Sequence, residues 1–194
     1  MQESKWASTV VLVDADYLDS VAQDLTVNFG RMLNREIAEG DLCHWLDCVA
    51  LDGGLRPEKN DVQVHFLHAK EKKALAYFKP SLFEEDLNGL AFDDNLGHFS
   101  LFAFPVENVV SADEFFLQSL TMLADAKEVK RLLVVGDMRA YGEAVKKICA
   151  QTDGKEITLF AMEPQTGTGF RQEILGYSLM ARLLSHTILA NHQH

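Results

Sequence analysis

The sequence predicts an α/β fold, a three-layer α/β/α sandwich around a mainly parallel sheet of about five strands. Two observations carry this. Short, mainly aliphatic runs such as "TVVLV" (residues 9–13) and "RLLVV" (residues 131–135) suit strands buried on both faces. They alternate with stretches whose apolar residues recur every three or four positions, and strand–helix alternation implies crossovers that cover both faces of a parallel sheet. A chain of 194 residues, 47% apolar and 24% charged, is long enough for one domain with a full core. The expectation is one domain over residues 1–194, without repeats or linkers, carrying an irregular insertion at about residues 70–97.

The first strand, residues 9–13, is followed by a helix expected over residues 20–39. Val21, Leu25, Phe29, Met32, Leu33 and Ile37 share one face there, with Ser20 as N-cap and Gly40 as the stop. A second, shorter helix is expected from Asp41 to Gly53-Gly54, a strand being the alternative. "DVQVHFLHA" (residues 61–69) alternates apolar and polar residues, which predicts a strand exposed on one side and near a sheet edge. Residues 70–97 carry Pro80, Gly89 and Gly97 and fit no single period, except for one helix near residues 82–87. "HFSLFAF" (residues 98–104) is a strand ended by Pro105. Ser111 with Glu114 three positions on forms a capping-box signature for a helix over residues 111–126. The strand "RLLVVGD", a helix over residues 140–151, a last strand "EITLFAM" and a terminal helix over residues 170–189 complete the chain. The terminal helix places Ile174, Leu175, Leu179, Leu183 and Leu184 on one stripe, which serves as core and also offers a homodimer contact.

Composition narrows the function. No apolar run approaches the eighteen or so residues of a membrane span, and the N-terminal stretch lacks the pattern of a secretory signal, so a cytoplasmic protein without membrane contact is expected. Cys43, Cys48 and Cys149 are too few and irregular for a disulfide framework and fit reduced, packed thiols. Cys43, His44 and Cys48 find no second ligand pair at zinc spacing. His65 and His68 read as packed or solvated imidazoles. A net charge of −11 opposes a polyanion, so any RNA binding is expected to be weak or local. The basic segments at Lys70–Lys73, Lys127–Arg131 and Lys146-Lys147 read as solvated helix ends.

The acids at strand ends are the informative feature. In a doubly wound sheet, ligands bind outside the carboxyl ends of the strands where the strand order reverses. Asp14 and Asp16 follow the first strand, and Asp137 follows "LLVVG". If those two strands are neighbours, about 4.8 Å apart, Asp14 and Asp137 converge. Two unit charges about 4 Å apart repel by roughly 1 kcal/mol in water and about 4 kcal/mol at an effective dielectric of 20. A divalent cation offsets this most directly, and hard oxygen donors favour Mg²⁺ or Mn²⁺. Asp113, in the first turn of the helix after "HFSLFAF", is a third contributor. The plainer alternative makes each acid a helix cap or a partner of the helix dipole.

"VVLVDADYL" resembles the opening of NYN domains, a branch of the PIN-like nuclease superfamily. "FSLFAFPVENVVSADEFFLQSLTMLADA" resembles their middle acidic segment, with Asp113 at the matching position. "KEVKRLLVVGDMRAYGEAVKKICAQTDGKEITLFAM" is similar to their Ser-Gly-Asp-x-Asp-Phe strand and the strand after it. The resemblance covers roughly residues 8–18 and 98–162 and leaves residues 40–97 largely unmatched. It implies a PIN-like (Rossmann-like) fold and a metal-dependent ribonuclease, with Asp14, Asp113 and Asp137 catalytic and Asp14, Asp16, Asp113 and Asp137 holding Mg²⁺ or Mn²⁺ that activates water. Three positions depart from the pattern: Tyr17 stands in place of Asn, Val135 in place of Ser, and Arg139 in place of the second Asp. Arg139 is expected to pair with Asp14 or Asp137 and neutralise the cluster without an ion. The reading is therefore a PIN/NYN-like domain with a decayed site and a binding or scaffold role, the alternative being an active ribonuclease. "DADYL" and "VVGDMRAY" also resemble haloacid-dehalogenase-like phosphatases, with Asp14 as nucleophile and Asp16 as general acid. Leu18 and Tyr141 depart from that pattern. "EPQTGTGFRQE" (residues 163–173) reads as a loop into the last helix, its spacing matching neither a P-loop nor a dinucleotide fingerprint.

Overall fold

A computed structural model describes residues 6–107 and 109–191, with side chains described as far as Leu183. In chain order the elements are β1 (Thr9–Asp14), α1 (Ala15–Leu33), β2 (Gly40–Asp41), α2 (Leu42–Asp52), β3 (Asn60–His68), β4 (Phe78–Lys79), a π-helical turn (Phe83–Leu87), β5 (Ala91–Asp94), β6 (Gly97–Pro105), α3 (Ala112–Asp125), β7 (Arg131–Val135), α4 (Met138–Ala150), β8 (Glu156–Ala161), β9 (Arg171–Ile174) and α5 (Leu175–Asn191).

The main sheet has seven strands in the order β5-β6-β3-β1-β7-β8-β9, and β2 and β4 form a separate pair. Every pairing in the main sheet is parallel except the β5–β6 hairpin. The chain runs outward from β1 through β3 to β6, then crosses back to β7 on the other side of β1, which makes the β1/β7 boundary the switch point. Leu18, Trp45 and Leu179, from α1, α2 and α5, pack one face of the sheet, and Phe116, Leu120 and Val145, from α3 and α4, pack the other. The three-layer expectation is met.

Seven strands replace the expected five or so because the two edge strands carry no apolar signal. β5 is "AFDD" and β9 is "RQEI", both largely exposed. "EITLFAM" is accordingly not the last strand, and α5 begins at Leu175 instead of residue 170 because Arg171–Ile174 pairs with β8. α1 starts five residues before the expected Ser20, capped by the Asp14 carboxylate on the Tyr17 amide, and ends at Asn34 in the left-handed region (φ 51°). β3 lies between β1 and β6 and not at an edge. From Val64 to His68 both faces of β3 are buried, so the expected exposed side is not found.

The insertion is anchored by acids. The Asp19 side chain, 4% exposed, accepts the Ala76 and Tyr77 amides at 2.9 and 3.1 Å and pairs with Lys72 Nζ at 2.9 Å. Asp16 Oδ2 accepts the Ala69 amide at 2.8 Å, and His68 stacks on Phe83 with centroids 4.0 Å apart. A segment that fits no period is thus held by carboxylate-to-backbone hydrogen bonds from the first turns of α1.

Candidate functional site

β1 and β7 pair in register with Val13 opposite Val135, which brings Asp14 level with Gly136 at the carboxyl edge of the switch point. Both neighbouring acids act as helix caps. Asp14 Oδ1 accepts the Tyr17 amide at 3.1 Å, and Asp137 Oδ1 accepts the amides of Arg139 and Ala140 at 3.1 and 3.2 Å. Each therefore meets the first free N–H groups of a helix, where negative charge is favoured.

Tyr141 occupies the ground between them. Its hydroxyl donates to Asp14 Oδ2 at 2.7 Å and accepts the Asp137 backbone N–H at 2.9 Å. The ring packs on Phe116, centroids 4.7 Å apart, and is buried. Tyr141 departs from helical geometry (φ −135°, ψ 19°), so α4 is kinked in its first turns. Gly136 makes room for this arrangement, since a Cβ there would stand 2.6 Å from the Tyr141 oxygen and 3.0 Å from Phe116. Both oxygens of Asp14 are thereby engaged by protein donors.

The electrostatics follow from burial. Desolvation raises the Asp14 pKa above its ordinary value, the charges of Asp16 and Asp113 add to the rise, and the hydrogen bonds from Tyr141 and the Tyr17 amide oppose it. The Tyr141 phenol is raised by burial first and by the Asp14 charge second, so it stays a donor at neutral pH. Tyr17, half-buried, is pushed up to about 12 by burial and by the charges of Asp137 and Glu163.

The remaining expected residues disperse. Asp16 turns away from Asp14 toward the insertion, where Lys72 Nζ lies 3.8 Å from an Oδ1 that makes no hydrogen bond. Asp113 sits exposed in the first turn of α3, its charge reaching Asp14 through space. Arg139 does not pair with Asp14 or Asp137. Its guanidinium is exposed and forms an ion pair with Glu163, just beyond β8. A four-residue reach from Asp137 brings Tyr141 back to the strand end, and a hydroxyl takes the role expected of arginine.

Among the described residues no group of three or more His, Cys, Asp or Glu side chains is placed to hold a metal ion. Each Asp14 oxygen accepts one hydrogen bond and Asp16 bonds to the insertion, so a cation beside Asp14 would share that carboxylate with Tyr141 and the Tyr17 amide or displace them. Beside Asp137 lies a crevice of about 460 Å³ lined by Tyr17, Asp24, Asn28, Arg139 and Glu163. The three cysteines are free, and Cys48 Sγ accepts two hydrogen bonds from Arg182. No helix among the described residues is long and apolar enough to cross a membrane.

Sequence reasoning did not single out Tyr141, Glu163 or Asp19 as site residues. The local signals were Asp19 three positions after Asp16 and Tyr141 four after Asp137, spacings that stack side chains on one helix face. No curated protein and no solved structure matches the chain. Residues 3–185, which include every residue of the acidic site, match a family of unknown function, DUF6621, and the chain belongs to that family.

Proposed function

We propose that this chain is a PIN/NYN-like domain whose carboxylate site serves as a structural latch, and that it acts as a binding or scaffold module. The observation that carries this reading is the Tyr141 hydroxyl, which spans Asp14 and the Asp137 backbone at the switch point. In a metal-dependent nuclease the facing carboxylate oxygens are left for the cation and the water it activates. Here a hydrogen bond from a neutral hydroxyl offsets part of the cost of the buried charge instead. The adjacent crevice is the natural docking position. Its lining holds Asp24, Asp137 and Glu163 against the single cation Arg139, which favours a cationic or hydrogen-bonding ligand over RNA.

The second reading is an active Mg²⁺- or Mn²⁺-dependent ribonuclease. It is favoured by the adjacency of β1 and β7, which sets Asp14 and Asp137 at one sheet end with Asp113 close enough to perturb Asp14. Incubating end-labelled single-stranded RNA with the protein in millimolar Mn²⁺ separates the two. The latch reading predicts no metal-dependent cleavage. Cleavage abolished both by EDTA and by Asp14→Asn would establish the ribonuclease.

A further inference from the structure

On the sheet face covered by α3 and α4, those helices pack over β1, β7 and β8, while β3 contributes only Leu67 to that core and β6 contributes nothing, among the described residues. A slot of about 450 Å³ opens there, bordered by α3 on one side and by Phe102 and Phe104 of β6 on the other. At its floor is His65, 4% exposed. Three rings surround the imidazole at different inclinations: Trp6 at 5.4 Å and 49°, Phe102 at 5.9 Å and 85°, Phe104 at 5.3 Å and 68°. Phe104 and Met122, at the mouth, are 37% and 46% exposed.

His65 is the feature that packing alone does not explain. A buried polar side chain normally has a well-made hydrogen bond. Its Nε2 stands 3.4 Å from Gln63 Oε1, beyond the usual range for N–H···O. Burial pushes the imidazole down to about 4, so at neutral pH the ring is uncharged and offers one donor and one acceptor nitrogen. Among the described residues no lining side chain is charged at neutral pH, so an ionic ligand would be desolvated without a partner from them.

The dimensions decide between a small molecule and a partner helix. A helix about 10 Å across that rises 5.4 Å per turn fills roughly 400 Å³ per turn. The slot therefore holds a single turn, far less than the roughly 800 Å² per partner of a stable protein interface. Its volume, apolar walls and few polar groups match a small-ligand site.

We propose that this slot binds a neutral, planar heteroaromatic small molecule, packed against Trp6, Phe102 and Phe104 and hydrogen-bonded through a ring nitrogen to His65. Offset and edge-to-face packing on the three rings would hold the plane, and His65 would set its orientation. Leu67, the register partner of Asp14, lines the slot, but none of the carboxylates does, and the proposal does not depend on how those are read.

The test is an NMR titration of the full chain with benzimidazole and with indene, the hydrocarbon of the same skeleton. The expected result is saturable amide shifts confined to β3, β6 and α3, with benzimidazole binding at least tenfold more tightly. Ser119→Phe, which places a ring in the slot, lowers the affinity for both at least tenfold. His65→Leu lowers it tenfold for benzimidazole and leaves indene unchanged, and it keeps the test decisive should Ser119→Phe not fold. Absence of saturable shifts at millimolar benzimidazole, shifts centred elsewhere, or equal affinity for the two compounds would overturn the proposal. Self-association of the chain through this face, with benzimidazole excluded, would assign the slot to a second copy instead.

Discussion

Replacing Tyr141 by phenylalanine removes one oxygen atom from the junction of β1, β7 and α4, and the structure fixes what that atom does. It donates to Asp14 Oδ2 at 2.7 Å and accepts the Asp137 N–H at 2.9 Å. The first is a hydrogen bond to a charged group, worth about 1.5–3 kcal/mol, and its loss leaves a poorly solvated carboxylate oxygen unpaired. Allowing for partial rescue by water, the variant should lose about 2–3 kcal/mol, or roughly 5–10 °C in melting temperature for a domain of this size. The loss depends on pH. Asp14 titrates above its unfolded value of 3.8, so between that value and its raised pKa the folded state holds a proton that the unfolded state releases. Its contribution to stability therefore falls as pH rises through that window and is level above it. Removing a hydrogen bond that favours the carboxylate raises this pKa further and widens the window upward. Urea denaturation at about pH 7.5 and about pH 4.5 should thus show a larger deficit for Tyr141→Phe at the higher pH. A loss below about 0.5 kcal/mol, or the same loss at both pH values, would refute the latch.

Further outcomes follow from neighbouring residues. Gly136→Ala drives a Cβ to 2.6 Å from the Tyr141 oxygen and should cost about 1–3 kcal/mol. Combined with Tyr141→Phe, the two losses should sum to less than their separate values in a double-mutant cycle, because both act on the same atom. Asp19→Ala removes the acceptor of the Ala76 and Tyr77 amides and the partner of Lys72, at about 3–5 kcal/mol, and hydrogen exchange should show those two amides losing protection first. Arg139→Ala, which breaks an exposed ion pair with Glu163, should leave the urea midpoint unchanged; a large drop would restore arginine as the partner of the buried acids.

The parts of this fold legible in sequence are those set by local chemistry. Ser111 caps α3 on the Glu114 amide as its spacing predicts, and "TVVLV" and "RLLVV" become the two adjacent central strands. The parts that were not legible depend on distant partners. "RQEI" carries no strand pattern of its own and is ordered by pairing with β8. Asp14 reads from sequence as a possible metal ligand or cap, and the hydroxyl that settles its hydrogen bonding lies 127 residues away. Asp19 looks like an ordinary polar position on an amphipathic helix until the 72–77 segment folds over it. Ser20 reads as the cap of α1 because the apolar period begins after it, whereas Asp14 starts the helix one and a half turns earlier.

The occupant of the space between Asp14 and the Asp137 backbone is the point on which the rest depends. A crystal of the protein grown in millimolar Mn²⁺, with anomalous difference maps collected at the manganese edge, reads it directly. The expected map has the Tyr141 oxygen within hydrogen-bonding distance of Asp14 and no anomalous peak beside that carboxylate. A manganese peak ligated by Asp14 and Asp137, with the tyrosine ring displaced, would contradict it.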